Sequence, residues 1–227
     1  MYRLCDAIKD HAVQGGTVGP FYEYCNIRNI QKTLEDMALR PEFAHYVIDK
    51  IMAFDMEYLS RLFEAGEGKI DITWSANDFG MQDRLLMSVD MWQEFYYPHL
   101  KRQADLAKQH DTKIFNHDDG AVMELVPHFI ELGFDVLDPI QWRCGMDLTT
   151  LKKEFGKDLC FHGGIDNQWT LPFGTAADVK QEVIDCISIL ASDKTGYMLG
   201  PCHNIQPNTS IENTLTMYEV AAAEGKV

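Results

Sequence analysis

"IFNHDDGAV", residues 114–122, joins an apolar run to a histidine, two aspartates and a glycine. A short β-branched and aromatic run closed by Asp or Gly reads as a buried strand, and a polar cluster set directly at its end is more than a turn needs. Five other stretches share the pattern: "GTVGPFYEY" (16–24), "IDITWSAND" (70–78), "FDVLDPI" (134–140), "DLCFHGG" (158–164) and "GYMLGPCH" (196–203). Helical periodicity fills the gaps. In "RPEFAHYVIDKIMAFDMEYLSRLFEAG" (40–66), Pro41 suits a first helical turn, and Phe43, Val47, Ile51, Phe54, Tyr58 and Leu62 recur at three- and four-residue steps, which predicts one buried stripe. Similar stripes follow Ser88, Ala177 (Val179, Val183, Ile187, Leu190) and Ser210, with Ser88 and Ser210 placed as N-caps.

Strands alternating with helices predict crossover units and a parallel sheet covered on its faces. Polar residues then choose between a closed barrel and an open sheet. Asp78, His117, Asp119, Asp138, His162, Asp166, Cys202 and His203 all fall at or just past strand C-termini. In a β/α barrel those ends converge on one mouth, whereas in an open sheet only strands near the switch point share a crevice. No Gly-rich phosphate fingerprint follows the first strand. The expected fold class is therefore α/β of the (β/α)8 TIM-barrel type, as one domain over residues 1–227 with six of the eight units present. A helix over Tyr2–Val13 precedes the first strand, as though a unit were cut through its middle.

Composition narrows the function. The 227 residues are 46% hydrophobic and 24% charged, enough to bury a full core. A formal charge of −15 repels nucleic acid and anionic membrane, so neither is expected as a partner. No apolar run approaches the roughly 20 residues a bilayer requires, and "MYRLCDAIKDH" lacks a signal-peptide core, so a cytoplasmic protein is expected. The six cysteines show no C-x-x-C pair and are expected as free thiols.

Three stretches carry a resemblance. "NHDDGAVMELVPHFIELGFDVLDPIQ", "FHGGIDNQWTLPFGTAADVKQEV" and "GYMLGPCHNIQPNTSIENTLTMYEVA" resemble the uroporphyrinogen decarboxylase superfamily, which includes corrinoid-dependent methyltransferases; "ANDFGMQDRLLMSVDMWQEFYYPHLK" looks like the segment after its fourth strand. The resemblance implies an eight-stranded β/α barrel of more residues, matched here in its last six units. The upstream Arg-rich loop and Asp that grip porphyrin in true decarboxylases have no counterpart in this sequence. In the methyltransferase branch, a His-x-Cys-Gly motif and a later Cys hold a zinc ion that activates a thiol acceptor. Here His117 and Gly120 match that motif, Asp119 stands at the cysteine position, and His203 aligns with the last ligand, with Cys202 one place earlier.

The resemblance thus implies the metal set His117, Asp119 and His203, three N/O ligands that suit Zn²⁺ with one open position and would also accept other divalent ions. The competing reading has Asp118 and Asp119 capping a helix that begins near Ala121. Asp78 and Asp166 join His117 and His203 as catalytic candidates, each Asp being equally suited to a turn. Tyr22, Glu23, Gln82, Gln141 and His162 are substrate-binding candidates, and Trp74 and Trp142 are cavity or core residues. Methyl transfer between a corrinoid protein and a small acceptor is the expected function, the corrinoid being supplied by that partner. Uroporphyrinogen decarboxylation is the alternative, which needs clustered basic residues where only Arg28, Arg84 and Arg143 stand near strand ends. A third reading is a truncated, inactive homologue whose two unpaired sheet edges favour a homodimer.

Overall fold

The computed structural model describes Cys5 and residues 10–225. The helix expected over Tyr2–Val13 falls largely outside these residues. Six strands form: β1 (Gln14–Val18), β2 (Ile72–Ala76), β3 (Lys113–His117), β4 (Val136–Ile140), β5 (Cys160–Ile165) and β6 (Tyr197–Pro201). Ten α-helices with described bounds accompany them: α1 (Pro20–Arg28), α2 (Ile30–Leu39), α3 (Pro41–Gly66), α4 (Val89–Phe95), α5 (Tyr97–Gln109), α6 (Val126–Leu132), α7 (Leu148–Phe155), α8 (Thr170–Phe173), α9 (Ala176–Leu190) and α10 (Ile211–Glu224). The chain is an α/β protein of the β/α-barrel type, with six strands in a parallel arrangement. No helix among the described residues is long and apolar enough to cross a membrane.

Two compact units divide the fold. The first takes in the chain up to Phe79, Leu85–Asp118 and Pro127–Asp135; the second takes in Gly80–Arg84, Asp119–Val126 and the chain from Val136 onward. In the first unit, β1 pairs parallel with β2 (Gly16 opposite Trp74) and β2 with β3 (Ala76 opposite His117). Aromatic rings fill the core beside this ladder. Phe79 stacks on Phe21 at 5.2 Å and meets Trp92 edge-on at 6.0 Å, and Phe129 stacks on Phe134 at 5.7 Å. In the second unit, β4 pairs parallel with β5 and β5 with β6. All five residues of β4 are buried, as expected of a strand covered on both faces. Ile165, Leu171, Val179, Val183, Cys186 and Met217 form the packed core between that ladder, α9 and α10.

Local chemistry explains the helix starts. Ser88 accepts a hydrogen bond from Met91 N–H and Ser210 from Asn213 N–H, so both are N-caps as expected. Thr175 and Asp178 form a reciprocal capping box at α9. Two expectations fail. Residues 20–24 of the first strand-like run are helical, because Pro20 occupies the first turn of α1, where its missing N–H costs nothing. The stripe assigned to α3 is turned about one residue from the buried face, which comprises Ala44, Ile48, Met52, Asp55, Leu59, Leu62, Phe63 and Gly66. Phe43, Phe54 and Tyr58 are exposed instead.

That rotation places a carboxylate inside. Asp55 is only 4% exposed, and its Oδ2 has no hydrogen-bond partner. Burial, helped by the nearby Glu23 charge, pushes its carboxyl up to about 7. A raised carboxyl pKa means that the folded state holds a proton the unfolded state releases above about pH 4, so stability falls as pH rises from about 4 to 7. Asp55→Asn should remove this slope and stabilise the protein at pH 8 by about 2–4 kcal/mol. Denaturant melts of both proteins at pH 5 and pH 8 test it; equal slopes would show that Asp55 is not the titrating group.

Candidate functional site

In the first unit, β3 delivers Asn116 inward and His117 to the strand end. His117 Nε2 lies 3.7 Å from Asp78 Oδ1, and its ring meets Trp74 edge-on at 5.5 Å. Asp78 sits at the end of the β2 run with φ +61°, a left-handed backbone that is uncommon outside glycine and is concentrated at functional positions. Asp118 is fully buried and accepts hydrogen bonds from Phe79 N–H at 3.1 Å and Asn116 Nδ2 at 2.8 Å. Burial pushes its carboxyl up to about 7 against the lowering effect of those donors. Asp118 therefore ties β3 to the segment after β2 and does not cap a helix. The next helical turn starts only at Met123, as a 3-10 turn leading into α6. Tyr22 and Glu23 lie in the first turns of α1, Tyr22 41% exposed and Glu23 beside Asp55.

In the second unit, loops after the strands gather the other candidates. One carboxylate oxygen of Asp119 and one ring nitrogen of His203 lie within 4.8 Å of each other. Glycines make Asp119's position possible. The segments around Gly80 and Gly120 touch backbone to backbone: a Cβ on Gly80 would lie 2.4 Å from Asp119 O, and one on Gly120 2.5 Å from Met81 O. Gly120 also has φ +89°, and Ala121 N–H donates to Met81 O at 2.7 Å. Gln141 Oε1 accepts from Gly120 N–H at 2.5 Å, so this candidate substrate ligand also anchors the loop. Gly120→Ala should cost about 2–3 kcal/mol through overlap and backbone strain. A denaturant melt checks it, and a loss under 0.5 kcal/mol, the ordinary surface range, would show that the loop tolerates a Cβ.

The remaining residues form pairs that span many positions of chain. His162 Nδ1 lies 2.5 Å from Asp138 Oδ1, and a Cβ at Gly200 would come within 2.9 Å of His162 Nε2, so β4, β5 and β6 each contribute to this pair. Asp166 is buried and fully engaged. It accepts from Arg143 Nε at 2.6 Å and from the backbone N–H groups of Gln168, Trp169 and Thr170, while its own N–H donates to Glu182. Asp166 thus organises the turn into α8, with Arg143 stacked over Trp142 at 4.3 Å. Gln82 Oε1 accepts from Cys144 Sγ at 3.3 Å. Cys202 is buried, and its Sγ donates to Ile140 O at 3.2 Å. A cavity of about 380 Å³ opens among Gln82, Arg84, Met123, Glu124, Arg143 and Cys144, within the size range of small-molecule sites. All six cysteines are free thiols.

Sequence reasoning missed the partners more than the residues. Asp138 was visible as a strand-end carboxylate, but its pairing with His162, 24 positions on, has no local signal. Each arginine near a strand end is paired: Arg28 with Asp36, Arg84 with Asp83 and Arg143 with Asp166.

Known proteins agree on the family. Residues 1–223 match the uroporphyrinogen decarboxylase (URO-D) family, and the chain belongs to it. Curated relatives named uroporphyrinogen decarboxylase include those of Chlorobaculum parvum, 23% identical over 222 residues (94% of this chain, 56% of the relative), and Prochlorococcus marinus, 23% identical over 191 residues (82% and 50%). The chain therefore spans about half the length of the curated relatives it matches. A solved methyltransferase from Methanosarcina mazei shares the fold with TM-score 0.74 at 19% identity, covering 94% of this chain and 59% of that one.

Proposed function

We propose that the chain carries the acceptor-activating site of a metal-assisted methyltransferase of the URO-D family, in which a small acceptor receives a methyl group from a partner's corrinoid. The observation that supports this best is the approach of Asp119 and His203 to within 4.8 Å. Two ligands each held about 2.0–2.2 Å from zinc sit roughly 3.3–4 Å apart, so a small side-chain rotation turns this pair into a chelate. His117, two residues before Asp119, is proposed as the third ligand, its ring steadied by Asp78 and Trp74. Imidazole and carboxylate donors fit zinc and leave a fourth position open.

When bound, such an ion lowers the pKa of a coordinated thiol, hydroxyl or water and so supplies a nucleophile at neutral pH. The protein's own residues do the rest. The Asp138–His162 pair is proposed to act in proton transfer, the contact of Asp138 with Nδ1 supporting a role in fixing the imidazole tautomer. Tyr22, Glu23, Gln82 and Gln141 are proposed to border the acceptor, and Asp166 to hold Arg143 in its loop. The neutralised arginines favour this reading over decarboxylation, since an eight-carboxylate porphyrinogen needs uncommitted cations. Zinc-loaded protein incubated without oxygen with methylcobalamin and a panel of thiols should form the methyl thioether as the Co–C bond breaks and its electron pair stays on cobalt, read as a change of the corrinoid's visible spectrum. Carbon dioxide release from uroporphyrinogen, without demethylation, would overturn the proposal.

A further inference from the structure

The cavity of the second unit holds two charged groups that its own ion pairs leave over. Among its lining residues, Arg84 and Asp83 pair with each other, Nε to Oδ1 at 2.9 Å and Nη2 to Oδ2 at 2.8 Å. Arg143 is committed on one edge only. Asp166 takes its Nε at 2.6 Å and Trp142 supports its flat face at 4.3 Å, while among the described residues neither Nη nitrogen meets an acceptor. Backbone N–H groups of Gln168, Trp169 and Thr170 also donate to Asp166, so its charge is met without the outer edge of the guanidinium. That edge is held in plane and direction, and it matches a carboxylate, whose two oxygens accept parallel N–H bonds. Glu124 lines the same cavity, is exposed, and has no hydrogen-bond or ion-pair partner among the described residues.

We propose that this cavity binds a free α-amino acid, its carboxylate on the outer edge of Arg143 and its ammonium group on Glu124. Both charges of the ligand are needed. An anion without an ammonium group would face the Glu124 charge unpaired, and an amine without a carboxylate would leave the Arg143 edge unused. Quaternary ammonium carboxylates fit less well, because such cations are read by aromatic cages and none of the described lining residues is aromatic. Ala121, Met123 and Cys144 supply apolar surface for a short uncharged side chain. At about 380 Å³ the cavity lies at the small end of ligand sites, which suits a ligand of amino-acid size. Ala121 follows Asp119 by two positions, so the cavity adjoins one of the proposed metal ligands. Binding itself requires neither metal nor corrinoid; the role of the ligand as acceptor, in the form of a thiol amino acid, rests on the methyltransferase reading.

Titration calorimetry on the metal-free chain with L-methionine tests the site. Saturable binding is expected. Methylthiobutanoate, which lacks the ammonium group, and methylthiopropylamine, which lacks the carboxylate, should each bind about tenfold or more weakly, the worth of one charge-assisted contact. Arg143→Gln should weaken L-methionine by about the same factor and leave the amine unchanged, whereas Glu124→Gln should weaken L-methionine and leave the butanoate unchanged. A loosened fold would not give that crossed pattern. Absence of L-methionine binding, equal affinities for the three ligands, or variants that weaken all three alike would overturn the proposal, as would glycine betaine binding more tightly than L-methionine. Demethylation of methylcobalamin by a chain that does not bind L-methionine would strike this inference and leave the methyltransferase reading standing; L-methionine binding without demethylation would do the reverse.

Discussion

His203→Ala should lower zinc affinity by on the order of 100-fold or more, since losing even an outer-shell partner of a metal ligand costs about 10–100-fold. The reason is the ligand count. With His117 and Asp119 alone, a bound ion would have one imidazole and one carboxylate from the protein, too few for a tight site. Folding should be spared, because His203 is exposed, its ring accepting from the neighbouring Asn204 N–H at 2.7 Å. Titration calorimetry with zinc, paired with a thermal melt of the metal-free protein, separates the two effects. Cys202→Ala gives the contrast: affinity should hold within a few-fold, with a modest stability loss from the Sγ to Ile140 O contact. Equal affinities for His203→Ala and wild type would remove His203 from the site.

The second large effect concerns the first unit's framework. Asp36 is fully buried in α2 and accepts from Tyr24 OH at 3.0 Å, Arg28 Nε at 3.0 Å and Nη2 at 3.3 Å, and Arg40. Burial alone would raise its carboxyl pKa, but the Arg28 and Tyr24 hydrogen bonds outweigh it and hold the carboxyl below its ordinary value. Asp36→Ala leaves the Tyr24 hydroxyl and two guanidinium groups without their shared acceptor. Because Arg28 and Arg40 keep contact with solvent, the cost is that of the lost charge-assisted hydrogen bonds and the orphaned Tyr24 hydroxyl, about 2–3 kcal/mol at pH 7. The sign of the pH dependence follows from the lowered pKa. The contribution is present above the ordinary Asp pKa and disappears as pH falls through the folded value, so the gap between variant and wild type should close on acidification. A gap under 1 kcal/mol at pH 7 in urea melts would show that the arginines find other acceptors.

How much of this was legible depends on the range of the interactions. β2 to β6 were readable because each is a short apolar run closed by residues that cannot extend it. β1 was overextended because aromatic residues follow Pro20, and aromatic content suggests strand where the proline in fact opens α1. The face of α3 was misjudged for a related reason. Its bulky residues form a clean stripe, yet the core accepts Ala44 and Gly66, whose small size permits close packing, and Asp55, which no hydropathy pattern places inside. At the site, the residue types were visible, but Asp118 as a tie to Phe79 N–H and Asp166 as an acceptor for Arg143 depend on tertiary contacts. The close approach of Gly80 and Gly120 belongs to the same class, since two glycines 40 positions apart carry no pairing signal in sequence.

Zinc-edge X-ray absorption on the metal-loaded protein tests the central claim most directly. The expected spectrum has a nitrogen and oxygen shell alone at about 2.0–2.1 Å with imidazole outer scattering from two histidines. A sulfur shell near 2.3 Å, or protein that retains no zinc after desalting, would contradict a site built from His117, Asp119 and His203.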